Sequence, residues 1–116
     1  MAALGDDTRP QDDAVFDSLT AEVTIEADGT AVIRVVGEID IATGDIVRTA
    51  VATAIGHSPA RLVFDMAAVD FMDSSGIAVL LEAAQLAESV QIRGPSKIVR
   101  RVIETTGLSE VLPIGE

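Results

Sequence analysis

The residues best placed to do chemistry are Asp73-Ser74-Ser75-Gly76. An apolar run precedes them and helical spacing follows, so strand, short loop and helix set two hydroxyls and a carboxylate at a helix N-terminus. Simple capping is one reading. Asp73 would accept a hydrogen bond from the free N–H groups of the first turn and favour the helix dipole. Capping accounts for one of the three polar residues. It leaves Gly76 unexplained, because glycine inside a first turn costs on the order of 1 kcal/mol relative to alanine. A glycine there implies that something comes close to the backbone, so the segment reads either as a cap or as an accessible polar site.

Other chemistry finds little support. No glycine spacing fits a dinucleotide loop, and no Walker lysine motif is present. The single histidine, His57, precedes Pro59 in a loop and reads as structural or exposed. A Ser-His-Asp arrangement would have this one histidine to draw on. The acidic residues form no D-x-D-x-D-G run of a calcium loop, and with no cysteine there is no thiolate site or disulfide framework. The expectation is a protein that is not an enzyme and holds no metal or cofactor of its own.

The 116 residues suit one domain with one core. Only three aromatic residues occur, all Phe, so the core must be built from Val, Ile, Leu and Ala. The net charge is −11, with one Lys and seven Arg scattered along the chain. Nucleic-acid affinity draws on Lys and Arg contacts to phosphate, so nucleic acid is rejected as a partner, and anionic membrane surfaces likewise. No apolar stretch approaches the roughly 20 residues of a membrane span. Met1 to Thr20 lacks a basic start and an apolar segment, so no signal peptide is expected. The absence of cysteine fits a reducing cytosol, and the expected location is cytoplasmic.

These features must be positioned by the elements around them. Residues 1–17, with Asp6, Asp7, Asp12, Asp13, Asp17 and Pro10, read as a disordered acidic tail before a domain over 18–116. Ala21, Val23 and Ile25 alternate with polar residues, Asp28-Gly29 follows, and Ala31, Ile33 and Val35 alternate again, predicting a hairpin closed by Gly37 and Glu38. A helix is predicted from an N-cap at Thr43, with Val47, Ala50, Val51 and Ala54 on its apolar face and Gly56 to Pro59 ending it. Arg61 to Met66 reads as a short buried strand. The second helix opens at Asp73 or Ser74 and is expected to bury Ile77, Leu80, Leu81 and Ala84. Val90 to Arg93 is a strand. A third helix opens at Pro95 or Ser96, turns Val99, Val102 and Ile103 inward, and has Gly107 as its C′ residue. Val111 to Ile114 adds a short strand or lies irregular. The order β-β-α-β-α-β-α predicts a layered α/β domain with helices packed on the sheet.

Phe71-Met72-Asp73-Ser74-Ser75-Gly76 resembles the signature of bacterial anti-sigma factor antagonists, single-domain members of the STAS superfamily. Gly37-Glu38-Ile39-Asp40, with Thr43 and a helix after it, is similar to that family's first block. Val99-Arg100-Arg101-Val102-Ile103 and Thr106-Gly107-Leu108 are similar to its last helix and closing turn. The likeness spans residues 20 to 114. Two departures are a shorter stretch between Gly76 and Pro95 and the lack of a Gly-Gly turn before the fourth strand.

The resemblance implies a single STAS-like domain, with a mixed sheet of four to five strands and three or more helices packed on it. It implies an antagonist that binds an anti-sigma factor and frees the sigma factor for transcription. The anti-sigma factor is also an ATP-dependent serine kinase, whose target is the serine before the glycine, here Ser75; a serine phosphatase reverses the mark. ATP and magnesium then belong to the kinase. The partner-binding residues implied are Asp40, Asp73, Ser74, Ser75 and Gly76. Helical spacing adds Val79, one turn beyond Ser75 and off the predicted inward face, which reads as a docking contact or as a stray surface valine, with Glu82 a further turn on. A monomer is the default. An adaptor subunit of a lipid or anion transport complex is the alternative within the same superfamily, disfavoured by the intact Asp-Ser-Ser-Gly.

Overall fold

The structure, a computed structural model, describes residues 19–115, so the expected acidic tail over 1–17 lies outside the described residues. Strand β1 (Leu19–Ile25) pairs antiparallel with β2 (Ala31–Ile39), Leu19 opposite Gly37 and Ile25 opposite Ala31. Gly29 takes the positive φ of +88° that the Asp-Gly signal predicts. The connection is wider than a two-residue turn. Glu26 N–H donates to Thr30 O and Gly29 N–H to Glu26 O, closing a loop over 26–30. Asp28 Oδ1 accepts from the Thr30 N–H at 2.9 Å, and this bond holds the Asp28 carboxyl below its ordinary pKa.

Three crossovers follow. Helix α1 (Gly44–Ile55) leads to β3 (Leu62–Met72), α2 (Ser74–Leu86) to β4 (Val90–Arg93), and α3 (Lys97–Thr105) to β5 (Ile114–Gly115). The sheet order is β1-β2-β3-β4-β5, and every pair after the first is parallel. Parallel neighbours require such crossovers, and the helices cover the apolar side of the sheet. Ile33, Phe64 and Ile92 stand in one cross-strand row, each fully buried, at the centre of an otherwise aliphatic core. The other side carries a row of alternating charge, Glu22, Arg34, Asp65 and Arg93.

Several boundaries differ from expectation. Strand β3 does not stop at Met66 but continues to Met72, because Phe71 and Met72 pair with Glu38 and Ile39. Register shifts at Arg34/Val36 and Gly37/Glu38 break the two-residue alternation that would have marked the longer strand. Helix α1 buries Val47, Ala50, Val51 and Ala54 as predicted, but Thr43 makes no side-chain cap bond. Helix α2 buries Ile77 and Leu80, while Leu81 and Ala84 are half-buried and Gly76, Val79 and Ala83 are fully buried. The buried face is rotated because α2 packs on α1 as well as on the sheet. Helix α3 buries Val99 and Ile103, with Val102 half-buried. Gly107, at φ +73°, ends it in a Schellman motif: Leu108 N–H donates to Ile103 O and Gly107 N–H to Glu104 O, each at 3.1 Å. Of the last segment, only Ile114–Gly115 joins the sheet, while Leu112 plugs the core.

Candidate functional site

The site forms where β2 and β3 end side by side. Ile39 pairs with Met72 in the last rung of the ladder, so Asp40 and Asp73 leave the same edge of the sheet. The Asp73 N–H donates back to Ile39 O at 3.3 Å and ties the two exits together. The expected short loop between strand and helix contracts to Asp73 alone.

Asp73 is the N-cap of α2. Its backbone is extended, and Oδ1 accepts from the Ser75 N–H at 2.8 Å. Its carbonyl accepts from the N–H groups of Gly76 at 3.0 Å and Ile77 at 3.4 Å. The cap therefore fixes the first turn. Ser74, the first helical residue, is exposed, and Ser75, the second, is half-buried with its backbone held by the cap.

Asp40 organises the neighbouring loop. Its Oδ1 accepts from the N–H groups of Ala42 at 2.9 Å and Thr43 at 3.1 Å. The buried Thr43 hydroxyl donates to Glu38 O at 2.8 Å and accepts from the Asp40 N–H at 2.9 Å. Thr43 thus locks the turn between β2 and α1, where sequence spacing predicts an ordinary helix cap.

Two expected partner contacts are placed elsewhere. Gly76 is buried, and the close approach that its lack of a side chain permits comes from within. A Cβ there would collide with Cγ of Met72, stand 2.8 Å from its Sδ and 3.1 Å from Cγ2 of Ile39. Gly76 therefore fits α2 onto the strand ends; it does not open the backbone to a partner. Val79, expected as an exposed docking contact, is 2% exposed. It turns toward α1, where a Cβ on Gly44 would meet its Cγ2 at 3.5 Å. Asp40, Asp73, Ser74 and Ser75 remain at the surface or half-exposed along one edge.

A cross-helix ion pair went unread in the sequence. Arg48 of α1 donates to both carboxylate oxygens of Glu82 in α2, from Nε at 2.8 Å and from Nη2 at 3.2 Å, and to Asp45 at 2.9 Å. Its bond to Glu82, then that to Asp45, raises the Arg48 pKa, and the bond to Arg48 lowers that of Glu82. Arg48 and Glu82 are 34 residues apart, a separation at which local spacing carries no signal. Below the pair, Val51, Ala52, Val79 and Leu86 line a shallow notch of about 180 Å³.

His57 is exposed in the turn after α1. Among the described residues, no group of three or more His, Asp or Glu could hold a metal ion. No described helix is long and apolar enough to cross a membrane. Among the described residues, Asp40, Asp73, Ser74 and Ser75 have no histidine or lysine beside them in the hydrogen-bond network of this edge. The arrangement offers two serine hydroxyls on a rigid, capped helix start flanked by two aspartates.

The family model described as the STAS domain matches residues 22–116. The chain is similar to the anti-sigma-F factor antagonist RsfB of Mycobacterium tuberculosis, at 31% identity over 97 residues, covering 81% of this chain and 79% of that one. The fold is similar to the crystal structure of an anti-sigma factor antagonist from Mycobacterium paratuberculosis, with a TM-score of 0.77 and 31% identity over 85% of this chain and 86% of the other. It is also similar to the anti-sigma factor antagonist SpoIIAA in its unphosphorylated form, with a TM-score of 0.70 and 25% identity over 84% and 89% of the two chains.

Proposed function

We propose that this chain, which belongs to the STAS domain family, is an anti-sigma factor antagonist whose binding is switched by phosphorylation of Ser75. Unphosphorylated, it engages an anti-sigma factor that is also a serine kinase. The Ser75 hydroxyl attacks the γ-phosphorus of the kinase-bound ATP. Its oxygen forms the new P–O bond, the bond to ADP breaks, and the hydroxyl proton passes to a base of the kinase. A serine phosphatase restores the hydroxyl by hydrolysis. This chain is the substrate in both steps and contributes no catalytic residue.

The observation that carries this reading is the Asp73 cap on Ser75. It fixes the Ser75 backbone in the first turn of α2, at the same edge as Asp40, in a chain whose relatives bear the antagonist name. Phosphorylation adds roughly −1.5 to −2 charges and three acceptor oxygens. A helix N-terminus tolerates that charge, so the fold should persist. Docking suffers instead, because the new charge joins Asp73 and Asp40 on the surface to be buried and raises the cost of desolvation. Each 1.4 kcal/mol is tenfold in affinity, so a few kcal/mol suffices for release.

A Ser75→Asp variant tests the reading. It is expected to bind the anti-sigma factor at least tenfold more weakly than the wild type by calorimetry while keeping the same circular dichroism spectrum. Equal affinity would count against the switch.

A further inference from the structure

Ile41 is 88% exposed, the most exposed large apolar side chain among the described residues; the others range from 38% to 62%. A single exposed apolar side chain is ordinary on a protein surface. Two features set this one apart. The backbone on both sides is pinned: the Ala42 and Thr43 N–H groups bind Asp40 Oδ1, the Gly44 N–H binds Asp40 O at 3.0 Å, and the buried Thr43 hydroxyl holds Glu38 O. Ile41 also follows Asp40 at the strand edge where the adjacent strand delivers Asp73 and Ser75. A set of four hydrogen bonds thus fixes the backbone around an isoleucine held out in water, at the end of the sheet where Ser75 also lies.

We infer that Ile41 is the apolar anchor of the docking surface, and that the anti-sigma factor receives it in an apolar pocket beside the groove that takes Ser75. The inference rests on the antagonist function proposed above. Rigid presentation of an exposed apolar side chain lowers the ordering cost of binding, and burial of such an anchor at the centre of a contact is where binding energy concentrates. The two neighbours then divide the work. Ile41 supplies affinity in the unphosphorylated state, and Ser75 carries the group that cancels it.

The test uses the full chain and candidate anti-sigma kinases with ATP, with phosphate incorporation followed and dissociation constants measured by calorimetry for wild type, Ile41→Val, Ile41→Ser and Ser75→Asp. Ile41→Ser is expected to weaken binding about tenfold to a hundredfold, the range that burial of one aliphatic side chain supplies. Ile41→Val should stay within about fivefold, since one methylene is lost and most of the apolar contact survives. The thermal midpoint of Ile41→Ser should match or exceed that of the wild type, because the side chain is already in water. Binding of Ile41→Ser as tight as wild type, with Ser75→Asp released, would overturn the anchor and leave the antagonist function standing. Failure of the wild type both to bind and to be phosphorylated would overturn the antagonist function, and the anchor with it.

Discussion

Gly76 rests directly against Met72: a methyl group on Gly76 would overlap Cγ of Met72 and lie 2.8 Å from its Sδ. Four residues apart, one ends β3 and the other lies in the first turn of α2, so their contact sets how closely the helix approaches the strand ends. The glycine that looks extravagant for a helix cap is required by packing.

Gly76→Ala should therefore destabilise the domain, although alanine is the better helix former. Overpacking of this kind costs about 1–3 kcal/mol, more than the propensity gained. Denaturant unfolding of Gly76→Ala, Met72→Ala and the double variant checks the contact. The double variant should be more stable than the sum of the two single losses predicts, since each change relieves the other. Strict additivity would contradict the packing role.

Val79→Ala should lower stability by about 2 kcal/mol through loss of buried methyl groups against α1. Phosphorylation of Ser75 should proceed at the wild-type rate at temperatures where the variant is folded, as followed by phosphate incorporation. Loss of kinase recognition without loss of stability would return Val79 to the docking surface.

The Arg48–Glu82 pair gives a pH dependence with a definite sign. Its bond to Arg48 lowers the Glu82 pKa from an ordinary 4.5, so the folded state favours the ionised carboxylate. The stabilisation is in force above 4.5 and is lost as the pH falls through the lowered value. Thermal midpoints of wild type and Glu82→Gln should differ near neutral pH and converge in acid. The gap should also narrow in about 0.5 M salt, because both side chains are near water.

Much of this was legible in the sequence, and the parts that were not share a cause. Apolar spacing located every helix, and Asp28-Gly29 and Gly107 marked turns that need positive φ, because these signals are local. The full length of β3 was hidden because its second half follows register shifts that disrupt alternation. A helical wheel with one buried stripe places Val79 at the surface because it takes no account of α1 alongside. A glycine in the first turn signals close approach at position 76, but a sequence cannot say from which side the approach comes. Arg48–Glu82 and the Thr43 lock depend on tertiary placement. The capping role of Asp73 and its bond to the helix start followed from residue type and position alone.

The central claim is tested most directly by incubating the full chain with candidate anti-sigma kinases and ATP, then locating the phosphate by fragmentation mass spectrometry of the peptide containing Ser74 and Ser75. One phosphate on Ser75, absent in Ser75→Ala and retained in Ser74→Ala, is the predicted result. Modification of Ser74 with Ser75 untouched, or no modification by any kinase that binds the chain, would contradict it.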